Sequence, residues 1–303
     1  MPVVGRLGVY VGGILLIAAV LSPPLYLLAS QGLPEALWDV LRKFKFPQYY
    51  NRVAMFVALV GAIPFLRSIG ISDWKRMHLA PNAHWLRDLA LGLGVGFGSM
   101  GLAAGVVYWI GAVEAKPYFK EMWFLMATGT AVAVALIEEF LFRGVLMAAF
   151  LRVWPERKTL AGLSLVFALL HFVGKHPSHS HYNNSEVDLW SGFRLIPELF
   201  WQFLEPNLVV GKFLTLTLVG FTLGWVTLKT RSLAVAIGLH CGWVWVLRML
   251  TLATLRKGEP TFWIGRDLTT GLLALVVVGG SLVVLWLCLG DRRAESTPII
   301  SPD

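Results

Sequence analysis

The stretch that decides the fold of this chain reads Leu136-Ile137-Glu138-Glu139-Phe140-Leu141-Phe142-Arg143-Gly144. It places two carboxylates and a guanidinium inside an otherwise apolar run over residues 122–146. A run of that length predicts a transmembrane helix, because about 20 residues cross the hydrocarbon core of a bilayer. Charged side chains at such depth are costly, and they usually face a cavity and serve a function. We therefore expect the functional site here.

Helical geometry separates the roles of the three charges. Glu139 and Arg143 lie four residues apart with the acid first, a spacing that favours an ion pair on one helix face. Glu138 points about 100° away from Glu139 round the helix, so it lies on a different face from the pair. This division predicts a structural role for Glu139 and makes Glu138 the candidate general base or acid. A buried packing cluster of all three side chains is the alternative interpretation.

The composition places the chain among membrane proteins. Of its 303 residues, 56% are hydrophobic and 15% charged, and the mean hydropathy is +0.67, whereas soluble domains have about 25% charged residues. Long apolar runs predict an all-α polytopic membrane protein with about eight transmembrane helices in one bundle. These runs cover residues 7–29, 53–71, 89–113, 122–146, 160–173, 213–228, 233–255 and 268–289.

The domain organisation is predicted from the same runs. N-terminal membrane helices with interfacial segments cover residues 1–115, the core with the charges 116–255, a final transmembrane helix 256–290 and a polar tail 291–303. Within the third run, glycines four residues apart predict close helix packing, namely Gly94 with Gly98 and Gly101 with Gly105. The net charge of +8 is spread over short loops, which fits contact with the lipid bilayer and no nucleic acid.

Two histidines lie in other apolar runs. His171 follows Phe167 by four residues, so both lie on one helix face, and His240 stands among small residues that let neighbouring helices approach its ring. A glutamate with two imidazoles can activate and hold a water molecule for amide hydrolysis. The alternative is zinc or another divalent metal with Glu138, His171 and His240 as ligands. A proton relay in a proton-coupled transporter is a competing function.

The polar stretch over residues 174–211 contains three more histidines, His176, His179 and His181, with Glu186 or Asp188 nearby. A metal site is one interpretation of this cluster. We favour a solvated polar loop, because stretches rich in His, Ser and Asn are usually solvated.

The three motifs together resemble those of a known family. Glu138-Glu139-x-x-x-Arg143, then Phe167-x-x-x-His171, then His240 resemble the motifs of the CPBP intramembrane proteases. That family includes the type II CAAX prenyl endopeptidases and Abi-like bacteriocin-processing or immunity proteins. The resemblance extends from about residue 120 to 250 and implies an eight-helix bundle with an intramembrane catalytic cavity.

The resemblance also implies a role for each motif residue. Glu138 is the catalytic glutamate, His171 holds the water, and His240 helps to stabilise the oxyanion. Glu139, Arg143 and Phe167 then have supporting roles. Members are often called metalloproteases, but the resemblance equally supports a glutamate mechanism without a metal cofactor, which we favour because the chain has no HExxH-type helix.

One departure from the family pattern concerns the residue one helical turn after His240. The family usually carries Asn or Asp there, and this chain has Val244, which cannot donate to an oxyanion. Arg248, one turn further on, is a candidate clamp for a substrate carboxylate. Snorkelling of its guanidinium to the membrane interface is the alternative.

The sequence therefore predicts an integral membrane endopeptidase. Its expected partner is a membrane protein or peptide substrate, lipidated or anchored at its C-terminus and cleaved near the membrane surface. We expect the plasma (inner) membrane of a prokaryote, with the termini in the cytoplasm, although Lys and Arg are balanced between the two sides. A non-proteolytic immunity or scaffold protein of the same fold is the alternative function.

Overall fold

The computed structural model describes residues 1–31, 44–80, 83–174, 187–204, 206–259, 261–265 and 268–290. Its helices are α1 (Val3–Gln31), α2 (Phe46–Ser68), α3 (Trp85–Trp109), α4 (Met122–Glu139), α5 (Met147–Leu151), α6 (Glu156–Leu170), α7 (Ser191–Glu198), α8 (Pro206–Thr230), α9 (Ala234–Ala253) and α10 (Leu272–Leu289). A π-helix over Phe140–Leu146 continues α4 into α5, and a 3₁₀ turn covers Trp201–Leu204. The described strands, β1 (Val113–Ala115) and β2 (Thr254–Arg256), pair antiparallel.

Six of the described helices are long and apolar enough to cross a membrane, namely α1, α2, α3, α8, α9 and α10. The prediction of an all-α polytopic membrane protein is therefore confirmed. The predicted count of eight spans is not confirmed. In the structure the run over residues 122–146 is divided between α4 and the π-helix, and the run over 160–173 lies largely in α6, which has 15 residues.

The chain forms two compact units. Unit 1 consists of Met1–Ser72 and Leu169–Val209, and unit 2 of Asp73–Ala168 and Val210–Asp303. The domain boundaries predicted after residues 115, 255 and 290, and the single bundle with its cavity, stay predictions. The cluster of His176, His179, His181 and Glu186 and the polar tail lie outside the described residues.

Close contact between α3 and α9 builds the core of unit 2. Gly92 and Gly96 of α3 lie against Gly238 and Gly242 of α9, and a Cβ atom on Gly96 would stand 2.6 Å from the carbonyl oxygen of Leu239. The two backbones can approach this closely only because glycine has no side chain. The matching four-residue spacing on both helices fixes their relative position along the contact.

The glycine pairs singled out from the sequence do not make this contact. A Cβ atom at any of them would have no described atom within 4 Å, which applies to Gly94, Gly98, Gly101 and Gly105. The prediction that these pairs pack closely is wrong for the described residues. The reason is rotational, because Gly92 and Gly96 lie on the face of α3 that meets α9 and the other four do not.

The same packing sets the direction of the predicted catalytic histidine. Leu239 of α9 is fully buried against α3, and the next residue, His240, points about 100° further round the helix. Helix α9 also packs against α4, where Trp245 donates from its indole nitrogen to Oγ1 of Thr128 at 3.1 Å. The imidazole of His240 is thereby directed towards the glutamates of α4.

Candidate active site

The centre of the site is a buried ion pair. Arg143 donates from Nη1 to Oε1 of Glu139 at 2.9 Å, and both side chains are 0% exposed. The ion pair predicted from the four-residue spacing is therefore present. Arg143 also donates from Nη2 to the carbonyl oxygen of Gly220 in α8 at 3.2 Å. Sequence reasoning missed this partner. The one sign of it in the sequence is that residue 220 is a glycine, because a Cβ on Gly220 would stand 3.0 Å from Cα of Ser164 in α6.

The helix changes from α to π geometry between the two residues of the ion pair. The π-helix begins at Phe140, directly after Glu139, and includes Arg143. One-turn π-helices are rare and frequently occur at functional sites, because the wider turn changes which side chains share a face. No pattern in the sequence indicates this local widening, so it was not predicted.

Two aromatic rings enclose the guanidinium. The central carbon of Arg143 lies 4.6 Å from the ring centroid of Phe167 and 5.7 Å from that of Phe142. The two rings pack edge to face with their centroids 4.9 Å apart. Cations over aromatic faces are stabilised by the ring quadrupole, and more so when water is excluded. Phe167 therefore contacts the ion pair directly, in addition to its predicted place one turn before His171.

His240 connects the two glutamates. Its Nδ1 is 2.8 Å from Oε1 of Glu139, and its Nε2 is 3.9 Å from Oε2 of Glu138. A carboxylate only accepts hydrogen bonds, so Nδ1 carries the proton in the neutral ring and Nε2 presents its lone pair towards Glu138. The second distance exceeds that of a direct hydrogen bond.

The two adjacent glutamates have different surroundings. The side chain of Glu139 is 0% exposed and is bonded to both Arg143 and His240 through one oxygen. The side chain of Glu138 is 27% exposed, although its Oε2 atom, which faces His240, is buried. Glu139 thus fixes the position of the guanidinium and the imidazole, and Glu138 is the more exposed of the two carboxylates.

The remaining predicted residues lie in the turn after α6 and further along α9. His171 is partly buried in the turn that follows α6 and belongs to unit 1, so its proximity to Glu138 stays a prediction. Val244 and Arg248 are both partly buried on α9, one and two turns beyond His240. The Nε atom of Arg248 is buried and has no hydrogen-bond partner among the described residues.

A metal site needs several donor side chains in one place. Within the part of the chain that the structure describes, no three His, Cys, Asp or Glu side chains form a group that could hold a metal ion. Glu138 and His240 come together, but a zinc site also needs a third protein ligand. His171, the third ligand in the metal alternative, belongs to unit 1, so a metal site formed by these three residues stays a prediction.

The comparison with known proteins agrees with the motifs. Residues 120–246 match the family model described as type II CAAX prenyl endopeptidase Rce1-like. The resemblance to the CPBP proteases is confirmed over this segment. The Rce1-like segment, residues 120–246, includes the two glutamates, Arg143 and both predicted catalytic histidines, whereas residues 1–119 and Arg248 lie outside it. No curated protein and no solved structure matches the chain significantly. At the level of the family, the match indicates a protease of the CAAX type.

Proposed function

We propose that this protein is an intramembrane endopeptidase in which Glu138 activates water to hydrolyse a peptide bond near the membrane surface. The observation that carries the proposal is the contrast between the two glutamates. Glu139 is bonded to Arg143 and His240, whereas Glu138 is partly exposed and faces Nε2 of His240. The Rce1-like segment supports the same class of reaction. The expected substrate is a lipidated or C-terminally anchored membrane protein.

In the proposed reaction, water adds to the carbonyl carbon of the scissile amide while Glu138 accepts one of its protons. His171 orients the water, and His240 stabilises the negative charge that develops on the carbonyl oxygen. Because Nδ1–H of His240 is held by Glu139, the ring can donate from Nε2 only when both nitrogens are protonated. Glu138 then gives its proton to the leaving amine as the C–N bond breaks.

We propose that this reaction needs no metal ion. The alternative is zinc or another divalent cation bound by Glu138, His171 and His240. Exhaustive chelation should leave cleavage intact, and elemental analysis of active protein should find far less than one metal per chain. A stoichiometric metal whose removal stops cleavage and whose return restores it would make the same residues ligands instead.

We also propose that Arg248 holds a carboxylate of the substrate. A cation within a membrane helix normally faces a partner or a cavity, and Nε of Arg248 has no hydrogen-bond partner among the described residues. Arg248→Gln should raise KM about tenfold or more with little change in kcat, since the lost contact is present in both the ground state and the transition state. An unchanged KM would favour snorkelling to the interface.

The variant that tests the catalytic base is Glu138→Gln, which keeps the shape of the side chain and removes its basicity. Membranes from cells that carry the wild type or the variant are compared by mass spectrometry of protein termini. We expect an uncleaved substrate to accumulate in the variant, with cleavage lowered about 100-fold or more. Glu156→Gln is the matched control, because Glu156 is exposed and paired with Arg231 at the surface of unit 2.

The competing functions predict different outcomes for the same variant. An immunity or scaffold protein without protease activity keeps its full biological activity in Glu138→Gln, and that result would rule out the proposed base. A proton-coupled transporter would instead give pH-dependent flux in proteoliposomes without peptide cleavage. Fractionation of the native host tests the proposed location, the plasma membrane of a prokaryote.

A further inference from the structure

Unit 1 contains a helix pair that the Rce1-like segment does not include. Helices α1 and α2 run antiparallel, because Tyr10 near the start of α1 donates to the carbonyl oxygen of Ala58 at 2.6 Å and stacks on Phe65 at 4.7 Å. At the other end of the pair, Tyr50 near the start of α2 donates to the carbonyl oxygen of Leu15 at 2.9 Å. The first residues of α1 therefore lie beside the last residues of α2.

A groove of about 400 Å³ lies between the first residues of α1 and the last residues of α2. Its walls are mostly aliphatic or aromatic, and they include Val9, Ile14 and Ile17 of α1 together with Val57, Pro64 and Phe65 of α2. Gly13 keeps it open, since a Cβ there would meet no other atom within 4 Å, whereas Gly61 lies against the ring of Tyr10. Arg6 and Ser68 line its polar end. The volume lies within the range of small-molecule sites, about 300–1,000 Å³.

The polar end of the groove lies at the depth of lipid headgroups. Helix α1 has 29 residues and is therefore about 43 Å long, close to the thickness of a bilayer with its headgroups, about 40–45 Å. Arg6 is the fourth residue of α1 and lines the groove, and a side chain of this length can place its guanidinium at the interface. Arg67, beside the groove-lining Ser68, adds a second cation at the same end.

No acid balances these charges within the helix pair. Neither α1 nor α2 contains an Asp or a Glu, and Arg6 has no ion pair with any described residue. A cation at headgroup depth beside an open apolar groove is complementary to one molecule that a bilayer supplies, a lipid with an anionic phosphate and an acyl chain.

We propose that the groove between α1 and α2 binds one anionic phospholipid. The acyl chain lies between the helices against Gly13 and Gly61, and the phosphate group pairs with Arg6. The site makes the N-terminal helices a lipid-binding element of the protein. The proposal does not depend on the proposed protease function, because all of its residues belong to unit 1.

The test uses full-length protein in nanodiscs of phosphatidylcholine with one fifth phosphatidylglycerol, and native mass spectrometry of the retained lipid. We expect the wild type to retain phosphatidylglycerol selectively. Arg6→Gln should lower that selectivity about fivefold, the usual effect of one cation near an anionic membrane surface. Arg52→Gln is the control for net charge, because Arg52 lies at the opposite end of the helix pair, over the ring of Phe44.

A second pair of variants tests the groove itself. A side chain at Gly13 meets no atom within 4 Å and would occupy the groove. A side chain at Gly12 also meets no atom within 4 Å, but Gly12 does not line the groove. Gly13→Leu should abolish selective retention, and Gly12→Leu should preserve it, with similar melting temperatures for both. Wild-type selectivity in either Arg6→Gln or Gly13→Leu would overturn the proposal. So would retention of a prenylated peptide at this groove in place of phosphatidylglycerol.

Discussion

The residue with the largest energetic consequence is Arg143. Its guanidinium is fully buried and neutralises Glu139, which also holds the ring of His240. Arg143→Ala would leave a buried carboxylate without its counter-charge, and breaking a buried pair in this way costs about 3–5 kcal/mol. We expect a large fall in the melting temperature of the detergent-purified protein, or failure to accumulate in the membrane.

Two variants make that prediction specific to the buried pair. Arg194→Ala removes a surface pair with Asp188 in which both side chains are about half exposed, and it should leave the melting temperature nearly unchanged. Glu138→Gln should leave the melting temperature nearly unchanged. If Glu138→Gln destabilised the protein as much as Arg143→Ala, the structural and catalytic roles assigned to the two glutamates would be reversed or shared.

A second prediction at this scale concerns His78, in the loop before α3. The ring is 2% exposed, and neither nitrogen has a hydrogen-bond partner of normal geometry among the described residues. Burial, and next the charge of Arg231, lower the pKa of His78 from 6.5 to about 4, against smaller opposing effects of the Arg143 backbone and Glu156. In the unfolded chain the ring takes up its proton near pH 6.5, and in the folded chain only near pH 4.

The stability that depends on the neutral ring is therefore fully present above pH 6.5 and lost as the pH falls towards 4. The total effect is about 3 kcal/mol. His78→Asn should flatten this dependence, because Asn tolerates the φ of +57° at this position and does not titrate. The exposed His84 gives the control, and His84→Asn should keep the wild-type slope of melting temperature against pH. Equal slopes in all three proteins would contradict the prediction.

At the scale of elements, the contact of α3 with α9 determines where His240 points. Gly96→Ala should cost about 1–3 kcal/mol, because its Cβ would stand 2.6 Å from the backbone oxygen of Leu239 and would push the helices apart. Gly94→Ala, two residues earlier on the same helix, meets no described atom within 4 Å and should be neutral or slightly stabilising. Thermal unfolding of both variants in detergent measures the difference, and similar melting temperatures would argue against the close contact.

Sequence reasoning succeeded where a feature depends on neighbours along one helix. Hydropathy is enough to predict the membrane class, because it depends on composition within each span. The ion pair of Glu139 with Arg143 follows from the four-residue spacing, and it persists although a π-helix begins between the two residues. The contrast between Glu138 and Glu139 was expected on the same ground, since adjacent residues point about 100° apart.

Features that depend on contacts between helices were not predictable from the sequence. The bond from Arg143 to the carbonyl of Gly220 requires knowing that α8 lies beside the π-helix. The choice of Gly92 and Gly96 over the other glycines of α3 requires the rotation of α3 against α9. The bond from His240 to Glu139 likewise joins residues 101 positions apart. Hydropathy is nearly uniform along such spans, so it carries little information on rotation or partner.

At the scale of the whole molecule, unit 2 has two ends that differ in charge. Its first end is defined by contacts between loops, since Leu233 N donates to the carbonyl of His78 at 3.3 Å and Arg231 pairs with Glu156 at 2.7 Å. Its second end holds the β1–β2 pair and the bond from Lys116 Nζ to the carbonyl of Leu252.

Lys and Arg are more numerous at the first end of unit 2. Among the described residues, eight lie at the first end and five at the second. Those at the first end are Lys75, Arg76, Arg87, Arg152, Arg157, Lys158, Lys229 and Arg231. Those at the second are Lys116, Lys120, Lys212, Arg256 and Lys257. Counting Lys and Arg by their position in the structure thus shows a difference between the two ends. Assigning successive loops to alternate sides of the membrane had given equal numbers.

We expect the first end to face the cytoplasm, because short cytoplasmic loops carry the excess of Lys and Arg in membrane proteins. Helix α10 ends there, since Lys229 bonds the carbonyl of Gly290, so the chain beyond it is expected in the cytoplasm. The test introduces one cysteine at a time, at Lys158 or at Glu259, in protein whose Cys241 and Cys288 are changed to Ser. Both positions are exposed, and they lie at opposite ends of unit 2. In intact spheroplasts a membrane-impermeant maleimide should label Glu259→Cys at once and Lys158→Cys only after permeabilisation. The reverse pattern would show that the first end lies outside and that charge does not determine the orientation of this protein.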